Sequence, residues 1–577
     1  MKSFIFLLSF IGILNYPAYA LSTDTSKNNE VIAMHLLNYG SDADLQYLSS
    51  LLPDLAKKGV NMLILEVDYN FDFKSHPELR ARDKFITLQG AKKFAERCKK
   101  LNIRLIPQFQ SVGHQSWAEH TSSLLTTYPE LDLTPGAFPQ NKGIYCREWD
   151  ITNPKVNQII FPMIDEIIDA FDADGIHVGM DEIFLLGSKE SPNTYGKDPG
   201  ELFAKVVNEF HDHFVKQKKV EMFMWGDRLI DASKYPYGEW EASNNGTATA
   251  VDKIPTDIVI CDWHYGFRDS YPSIPMFLEK GFKVLPCSYI DASAAKALIK
   301  YSLRQGHPNM LGHMFTSWSS VPRDSILIYP AFTEGLAVFQ NRKIWDVAIN
   351  LYSTNSDGTL LITLNCDNKD LPVYYTIDGS EPSIHSLIYK EPFTINKTST
   401  IKAKAFYEVK EAGETTTNTF IVHQATGKNV QLKVAANSKY PTIDGTKALV
   451  NGICASNAFN DGQWAGFEGH DIEAVIELGE VKDISELKFH SFNDPQSWII
   501  PAEKAEVWIS TDGINYRKAG TAKASGNKSA HAIPLKASLG KAKASYIKVI
   551  IPKVMLPVGH PGEGNAGWIF IDELIVN

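Results

Sequence analysis

Between Val31 and Trp345, eight short apolar runs alternate with longer stretches whose apolar residues recur at three-and-four spacing. The runs are Val31 to Leu37, Met62 to Val67, Arg104 to Phe109, Gly175 to Gly179, Met222 to Trp225, Ile258 to Trp263, Lys283 to Ser288 and Leu311 to Thr316. Short, apolar and flanked by helical patterns, they read as buried strands of a parallel sheet. The stretches between them, such as Leu45 to Lys58, Leu88 to Leu101 and Val156 to Phe171, supply crossover helices. Eight such units over about 320 residues predict a closed (β/α)8 TIM barrel rather than an open doubly wound sheet.

Near Tyr352 the pattern changes. Thr, Val and Ile now alternate with polar residues and Gly and Pro mark turns, so the last third is expected to be all-β. One small sandwich is expected over 351–425, and a second over 428–577 with strands at Ile472 to Leu478, Ile484 to Phe489, Lys504 to Ser510 and Tyr546 to Ile551. No low-complexity linker separates them, which predicts packed neighbours. A chain of 577 residues accommodates a barrel over 28–350 and both modules.

At the start, Lys2, the apolar run Phe4 to Leu14 and the small-residue pattern Ala18-Tyr19-Ala20 predict a secretory leader over 1–20 and an exported protein, periplasmic or extracellular. That run is too short to span a bilayer, and no later stretch reaches about 20 apolar residues. The net charge of −10, without a block of Lys and Arg, argues against nucleic acid as a partner. Cys98, Cys146, Cys261, Cys287, Cys366 and Cys454 are scattered singly, without metal-site spacing, and are expected to be lone thiols. Nothing in the pattern fixes an oligomeric state.

The carboxylates Asp181 and Glu182 follow the run Gly175-Ile176-His177-Val178-Gly179-Met180. They therefore fall at the carboxyl end of the fourth predicted strand, where a parallel barrel carries its active site. Neighbouring side chains on a regular strand point to opposite faces, so both can serve one pocket only if the backbone turns there. In a water-poor pocket two carboxyl groups cannot both ionise freely, and the pair divides into one anion and one proton carrier. An Asp-Glu step is also a common exposed helix start. The surrounding chain decides between the two.

The segment Gly175 to Glu182 resembles the His-x-Gly-Gly-Asp-Glu signature of glycoside hydrolase family 20, the β-N-acetylhexosaminidases. Leu101 to Pro107 leading to Gly113-His114 is similar to that family's third-strand segment, with Tyr128-Pro129-Glu130-Leu131 and Asn153-Pro154 between the two motifs. Trp225-Gly226-Asp227, Trp263, Tyr289-Ile290-Asp291 and Trp318 follow in the family's order, each at a predicted strand end. The segment after the barrel is similar to the β-rich module that follows it in chitobiase-like enzymes. The last 150 or so residues resemble a discoidin-type (F5/8 type C) jelly-roll carbohydrate-binding module, carried by Ala458 to Gly462, Val507 to Gly513 and Ile571 to Leu574.

The resemblance implies a retaining, substrate-assisted glycosidase in which the sugar's own 2-acetamido oxygen attacks the anomeric carbon. Glu182 is then the general acid and base, and Asp181 the anion that orients the acetamido group. Tyr289 is expected on the acetamido carbonyl, with Trp225, Trp263 and Trp318 walling the sugar and His114, His177 and Asp227 completing the substrate site. No catalytic cofactor is implied; in the terminal module Asp461 could hold a structural Ca²⁺, and Trp464, Phe467, Trp498, His560 and Trp568 could stack on sugars from loops.

Several positions depart from the family. Its first strand ends in an Arg that grips sugar hydroxyls, absent from Met34 to Tyr39; its Glu and Asp before the Pro-Gly-His become Gln108 and Gln110, and its Pro becomes Val112. Its second signature Gly is Met180, and a Glu two residues past the last Trp is Ser320. These changes touch sugar recognition and spare the acid pair. Three readings follow: an exo-acting enzyme removing terminal β-linked GlcNAc or GalNAc from glycans, a relative with altered 2-acetamido sugar or disaccharide specificity, and a carbohydrate-binding protein without activity.

Overall fold

The computed structural model describes residues 30–577 apart from Arg82, Ser320, Asn527 and Lys528, so the expected leader and the Ser320 departure lie outside the described residues. Strands β1 (Val31–Leu36), β2 (Met62–Glu66), β3 (Arg104–Ser111), β4 (Gly175–Gly179), β5 (Glu221–Trp225), β6 (Val259–Trp263), β7 (Lys283–Ser288) and β8 (Gly312–Thr316) form one closed barrel. Every pairing is parallel, and β1 closes the ring by pairing β2 on one side and β8 on the other, with Val31 opposite Gly312 and Ala33 opposite Met62. No helix among the described residues is long and apolar enough to cross a membrane.

Helices begin where a side chain can satisfy free backbone N–H groups rather than where the apolar pattern starts. Ser41 caps Asp42–Lys57, Thr87 caps Leu88–Lys100 and Asn153 caps Pro154–Ala170, each accepting an N–H from the first turn. Two of these helices therefore start two or three residues before the first apolar position of their pattern. Their apolar faces pack on the barrel through residues such as Leu48, Leu52, Phe94, Ile160 and Ile164, all buried.

Alternate residues of the strands point inward and fill the barrel, with Ala33, Ile64, Ile106, Phe223, Val259, Leu285 and Met314 in one core with Trp225 and Trp263. Two residues further along each strand from Ala33, Ile106, Gly175 and Phe223 come His35, Gln108, His177 and Trp225, all fully buried. They make a polar and aromatic layer at the carboxyl end of the barrel. Strand β3 runs to Ser111, past the end of the apolar run at Phe109, because Gln110 continues this inward face under the site.

The chain divides into two compact units between Arg342 and Lys343. In the second, a three-stranded sheet (Val347–Thr354, Leu360–Cys366, Phe393–Ile395) and a five-stranded sheet built around Ser399–Tyr407 enclose a common core of Val347, Leu360, Ile362, Val373, Ile401 and Phe420. An eight-stranded sheet follows. The predicted strands at Ile472 and Ile484 are halves of one bent strand, Ile472–Phe492, whose register against Ala532–Ile551 slips between Glu477 and Lys482, where Gly479 takes a φ of 86°.

Three aromatics expected in sugar-facing loops are instead core. Phe467 and Trp568 lie in strands Ala465–Glu468 and Trp568–Ile571, and Trp464 packs with Trp568, Phe492 and Phe570. Of that set Trp498 is the large exposed ring, 42% accessible, with His560 edge-on at 5.6 Å. Asp461 accepts the N–H groups of Ser456 and Gln463 at 2.6 and 2.8 Å and so closes its own loop. All six cysteines are free thiols, and five are buried.

Candidate active site

The bend that two adjacent carboxylates require is present. After β4, Gly179 and Met180 both take a φ of 68° and Glu182 one of 50°, so the backbone leaves the strand through left-handed residues and both side chains reach one pocket. Two glycines make this turn possible. A Cβ on Gly179 would stand 2.3 Å from Gln110 Oε1, and one on Gly113 would stand 2.8 Å from the carbonyl oxygen of Asp181. The facing end of β3 also turns left-handed, at Val112 and His114, with φ of 67° and 55°.

His114 is thereby placed between the carboxylates, its Nε2 3.3 Å from Asp181 Oδ2 and 3.2 Å from Glu182 Oε2. Burial works against an imidazolium here, but Asp181 and Glu182 outweigh it and raise the pKa well above the ordinary histidine range. Asp181 is the reciprocal case. Burial opposes its charge, yet His114 and the Gln110 amide, which donates to Oδ1 at 2.5 Å, hold it below the usual carboxylate value. Asp181 is thus an anion with a fixed orientation.

Behind the pair stand further carboxylates. Asp227 accepts the backbone N–H of Glu182 at 2.9 Å, the Arg228 Nε–H at 2.6 Å and the Trp263 indole N–H at 3.3 Å. Burial raises its pKa to about 6 against the pull of Arg228. Asp68, at the end of β2, accepts the Gln110 N–H at 2.7 Å, and burial pushes it to about 6 despite that bond and His114. Glu148 accepts the N–H groups of Phe184 and Leu185 at 2.6 Å each and so fixes the loop that follows Glu182; burial lifts it to about 7.

The aromatic floor is continuous. Trp225 contacts His177 at 4.6 Å, His35 at 5.3 Å and Trp318 at 5.9 Å, and the Trp318 indole donates to Tyr265 Oη at 2.6 Å. Tyr265 bridges Trp263, 4.9 Å away, to Tyr289 at 5.3 Å. Residues from all eight strand ends therefore meet around one mouth. Donor atoms of His114, Asp181 and Glu182 lie within 4.8 Å of one another, as do those of Cys454, His490 and Asp572 in the terminal sheet. Those are the two sets with the spacing to share a cation among the described residues.

Residues 45–326 match the glycosyl hydrolase family 20 catalytic domain, and residues 353–417 match the chitobiase/β-hexosaminidase C-terminal domain. The barrel is a family 20 glycoside hydrolase catalytic domain. Curated relatives include a lacto-N-biosidase of Bifidobacterium bifidum, 23% identical over 234 residues, and a β-hexosaminidase of Emericella nidulans, 27% identical over 210 residues. These matches cover 38% and 33% of this chain but only 19% and 30% of the two relatives' lengths. Among solved structures, a β-N-acetylhexosaminidase from Bacteroides fragilis aligns with a TM-score of 0.40 at 14% identity, over 53% of this chain and 66% of that one.

Within the family 20 barrel the predicted residues divide by position. Asp181, Glu182 and His114 form the polar centre, and Trp225, Trp263, Trp318 and Tyr289 surround it. His177 sits lower, inside the barrel: it accepts the Gly179 N–H at 3.1 Å and packs on Trp225, so it supports the turn without touching either carboxylate. Asp227 braces the Glu182 backbone from behind and is almost wholly buried.

Near the end of the first strand this chain places the fully buried His35. Its Nε2 lies 3.0 Å from Gln108 Oε1, and burial holds its pKa at about 4, so the pair is neutral. Sequence reasoning did not single out Asp68, Glu148, Tyr145, Trp240 or Tyr265. Asp68 and Tyr265 follow strand ends and were accessible to that rule; Glu148 and Tyr145 lie in a long irregular segment that carries no periodicity.

Proposed function

We propose that the protein is an exported retaining β-N-acetylhexosaminidase that removes terminal 2-acetamido sugars by substrate-assisted catalysis. The observation that carries this reading is the division of labour at the turn: Asp181 held anionic by His114 and Gln110, with Glu182 beside it on the same imidazole. In the first step the acetamido oxygen bonds to the anomeric carbon, the glycosidic C–O bond breaks, and Glu182 gives its proton to the leaving oxygen. The cyclic oxazolinium so formed carries positive charge at its nitrogen, whose N–H Asp181 accepts. In the second step Glu182 takes a proton from water, the hydroxide bonds to the anomeric carbon, and the acetamide is restored.

Tyr289 would donate to the acetamido oxygen, with Trp263 and Trp318 as apolar walls above the fully buried Trp225. The leader pattern at residues 1–20 supports export, and the terminal sheet is proposed as a discoidin-type sugar-binding module that keeps the barrel near glycans. A second reading, release of a disaccharide, is supported by the absence of an Arg from Met34 to Tyr39, where the family's first strand carries one that grips sugar hydroxyls.

The test is hydrolysis of aryl β-N-acetylglucosaminide, β-N-acetylgalactosaminide and β-glucoside by the wild type and by Glu182→Gln. Turnover confined to the acetamido sugars and reduced at least a hundredfold in the variant is expected. Equal turnover of the β-glucoside would exclude participation by the acetamido group. Disaccharide product from a longer acetamido glycan, with none from the aryl monosaccharides, would select the second reading.

A further inference from the structure

On the open side of Glu182 four aromatic rings form a wall that the catalytic centre does not use. Tyr145 stands at its middle, with Trp240 at 5.0 Å, Trp117 at 5.9 Å, Phe184 at 6.1 Å and His114 at 5.7 Å. Phe184 and Trp240 close the set at 5.5 Å, nearly perpendicular. Three of the rings are strongly exposed: Trp117 is 64% accessible, Trp240 46% and Tyr145 38%. Contiguous exposed aromatic surface is uncommon on a soluble protein and marks a place where something flat and partly apolar binds.

The wall is also rigid. Buried Arg228, already bonded to Asp227, donates to the carbonyls of Glu239, Trp240 and Ala242 at 2.8 to 2.9 Å. Glu241 in the same loop contacts His264 Nδ1 at 2.7 Å and accepts from Arg268 at 3.3 Å. Trp240 is therefore an exposed ring on a backbone pinned on both sides. Next to Tyr145, Cys146 receives the His114 N–H and reaches the Glu182 carbonyl; next to Trp117, the Ser116 hydroxyl accepts the Arg147 N–H at 2.9 Å. Such anchoring lowers the entropy lost when a ligand stacks.

Burial and the nearby Glu182 carboxyl raise the pKa of the Tyr145 phenol, and the Tyr145 ring packs edge-on against His114, which lies 3.2 Å from Glu182. We infer that Trp240, Tyr145, Trp117 and Phe184 form the binding site for the leaving group, and that its occupant is a further sugar ring of a β-linked glycan, stacked by its apolar face. The inference rests on Glu182 being the acid of the proposed reaction, and it makes a glycan of at least two sugars the preferred substrate.

The test compares two substrates with the same terminal sugar: a β-linked N-acetylglucosamine disaccharide, and β-N-acetylglucosaminyl fluoride, whose leaving group has no ring. In Trp240→Ala the ratio of kcat/KM for the disaccharide to that for the fluoride is expected to fall about tenfold or more, mainly through KM. Trp117→Ala, at the most exposed of the four rings, should shift the ratio in the same direction without threatening the fold. An unchanged ratio in both variants overturns the inference. If the wild type hydrolyses neither compound, the hydrolase reading fails separately, and direct binding then decides: weaker capture of the disaccharide by Trp240→Ala sustains the aromatic site, and equal capture ends it.

Discussion

At the scale of single residues, the site is governed by the charges that His114 and Asp181 hold on each other. His114 holds a charge because Asp181 and Glu182 face it, and Asp181 stays anionic because His114 and Gln110 face it in return. Replacing His114 by Gln removes the cation, so the Asp181 pKa rises. In the proposed mechanism Asp181 must be ionised to stabilise the oxazolinium, so the acidic limb of the kcat/KM profile should then move to higher pH. An acidic limb that stays in place would show that Asp181 does not depend on His114. Gln110→Glu makes a sharper demand: it exchanges a donor 2.5 Å from Asp181 for a second anion. Loss of one charge-assisted hydrogen bond, worth roughly 1.5–3 kcal/mol, predicts a ten- to hundredfold drop in kcat/KM at neutral pH. Partial recovery on acidification, as the new carboxyl takes up a proton, would identify repulsion as the cause.

At the scale of elements, the catalytic turn depends on how closely two strand ends approach. The Gly113 Cα faces the Asp181 carbonyl so tightly that an added methyl would stand 2.8 Å from the oxygen, and backbone yields less readily than a side chain. Gly113→Ala should therefore displace the carboxylate pair by a fraction of an ångström, with little loss of barrel stability. Misplacement of about 1 Å can cost about a hundredfold in rate, and kcat/KM measured beside the thermal midpoint separates this from unfolding. An activity loss matched by a large fall in midpoint would refute the geometric account. The same turn shows why the barrel was legible and the site only partly so. Apolar runs such as Lys283 to Ser288 coincide with their strands because burial on both faces writes itself as continuous hydrophobicity. The Asp181–Glu182 pair was legible because it ends such a run. Tyr145 and Glu148 were not, because their segment is held by side-chain hydrogen bonds, such as those of Arg147 to Asn141 and Phe138, which leave no period to detect. In the terminal sheet, Phe467 and Trp568 were assigned to loops since their strands, four residues each, are too short to show alternation.

At the scale of the whole molecule, each compact unit carries its own core, and the second is tied together by a buried polar knot. Glu573, with no exposed surface, accepts the N–H groups of Asn451 and Gly452 at 3.0 and 2.7 Å and lies 2.7 Å from His423 Nε2. His423 Nδ1 in turn accepts the N–H groups of Ala425 and Val576 at 3.2 and 3.3 Å. The knot thus joins the end of the small sandwich to the last strand of the chain across 150 residues of sequence. Burial raises the Glu573 pKa well above the carboxylate range and lowers that of His423 to about 3, so the pair is favoured in its uncharged form. His423→Ala leaves a buried carboxyl without its partner, at a cost of roughly 1–3 kcal/mol. In a unit of this size each kcal/mol moves the midpoint by about 2–4 °C, so calorimetry of the full chain should show one transition lowered by several degrees. Because the knot contains no residue of the barrel, hydrolysis of the glycosyl fluoride at 25 °C should match the wild type. A parallel loss of that activity would instead mean that the barrel relies on the β-rich unit to stay folded, and the two cores would have to be treated as one cooperative structure.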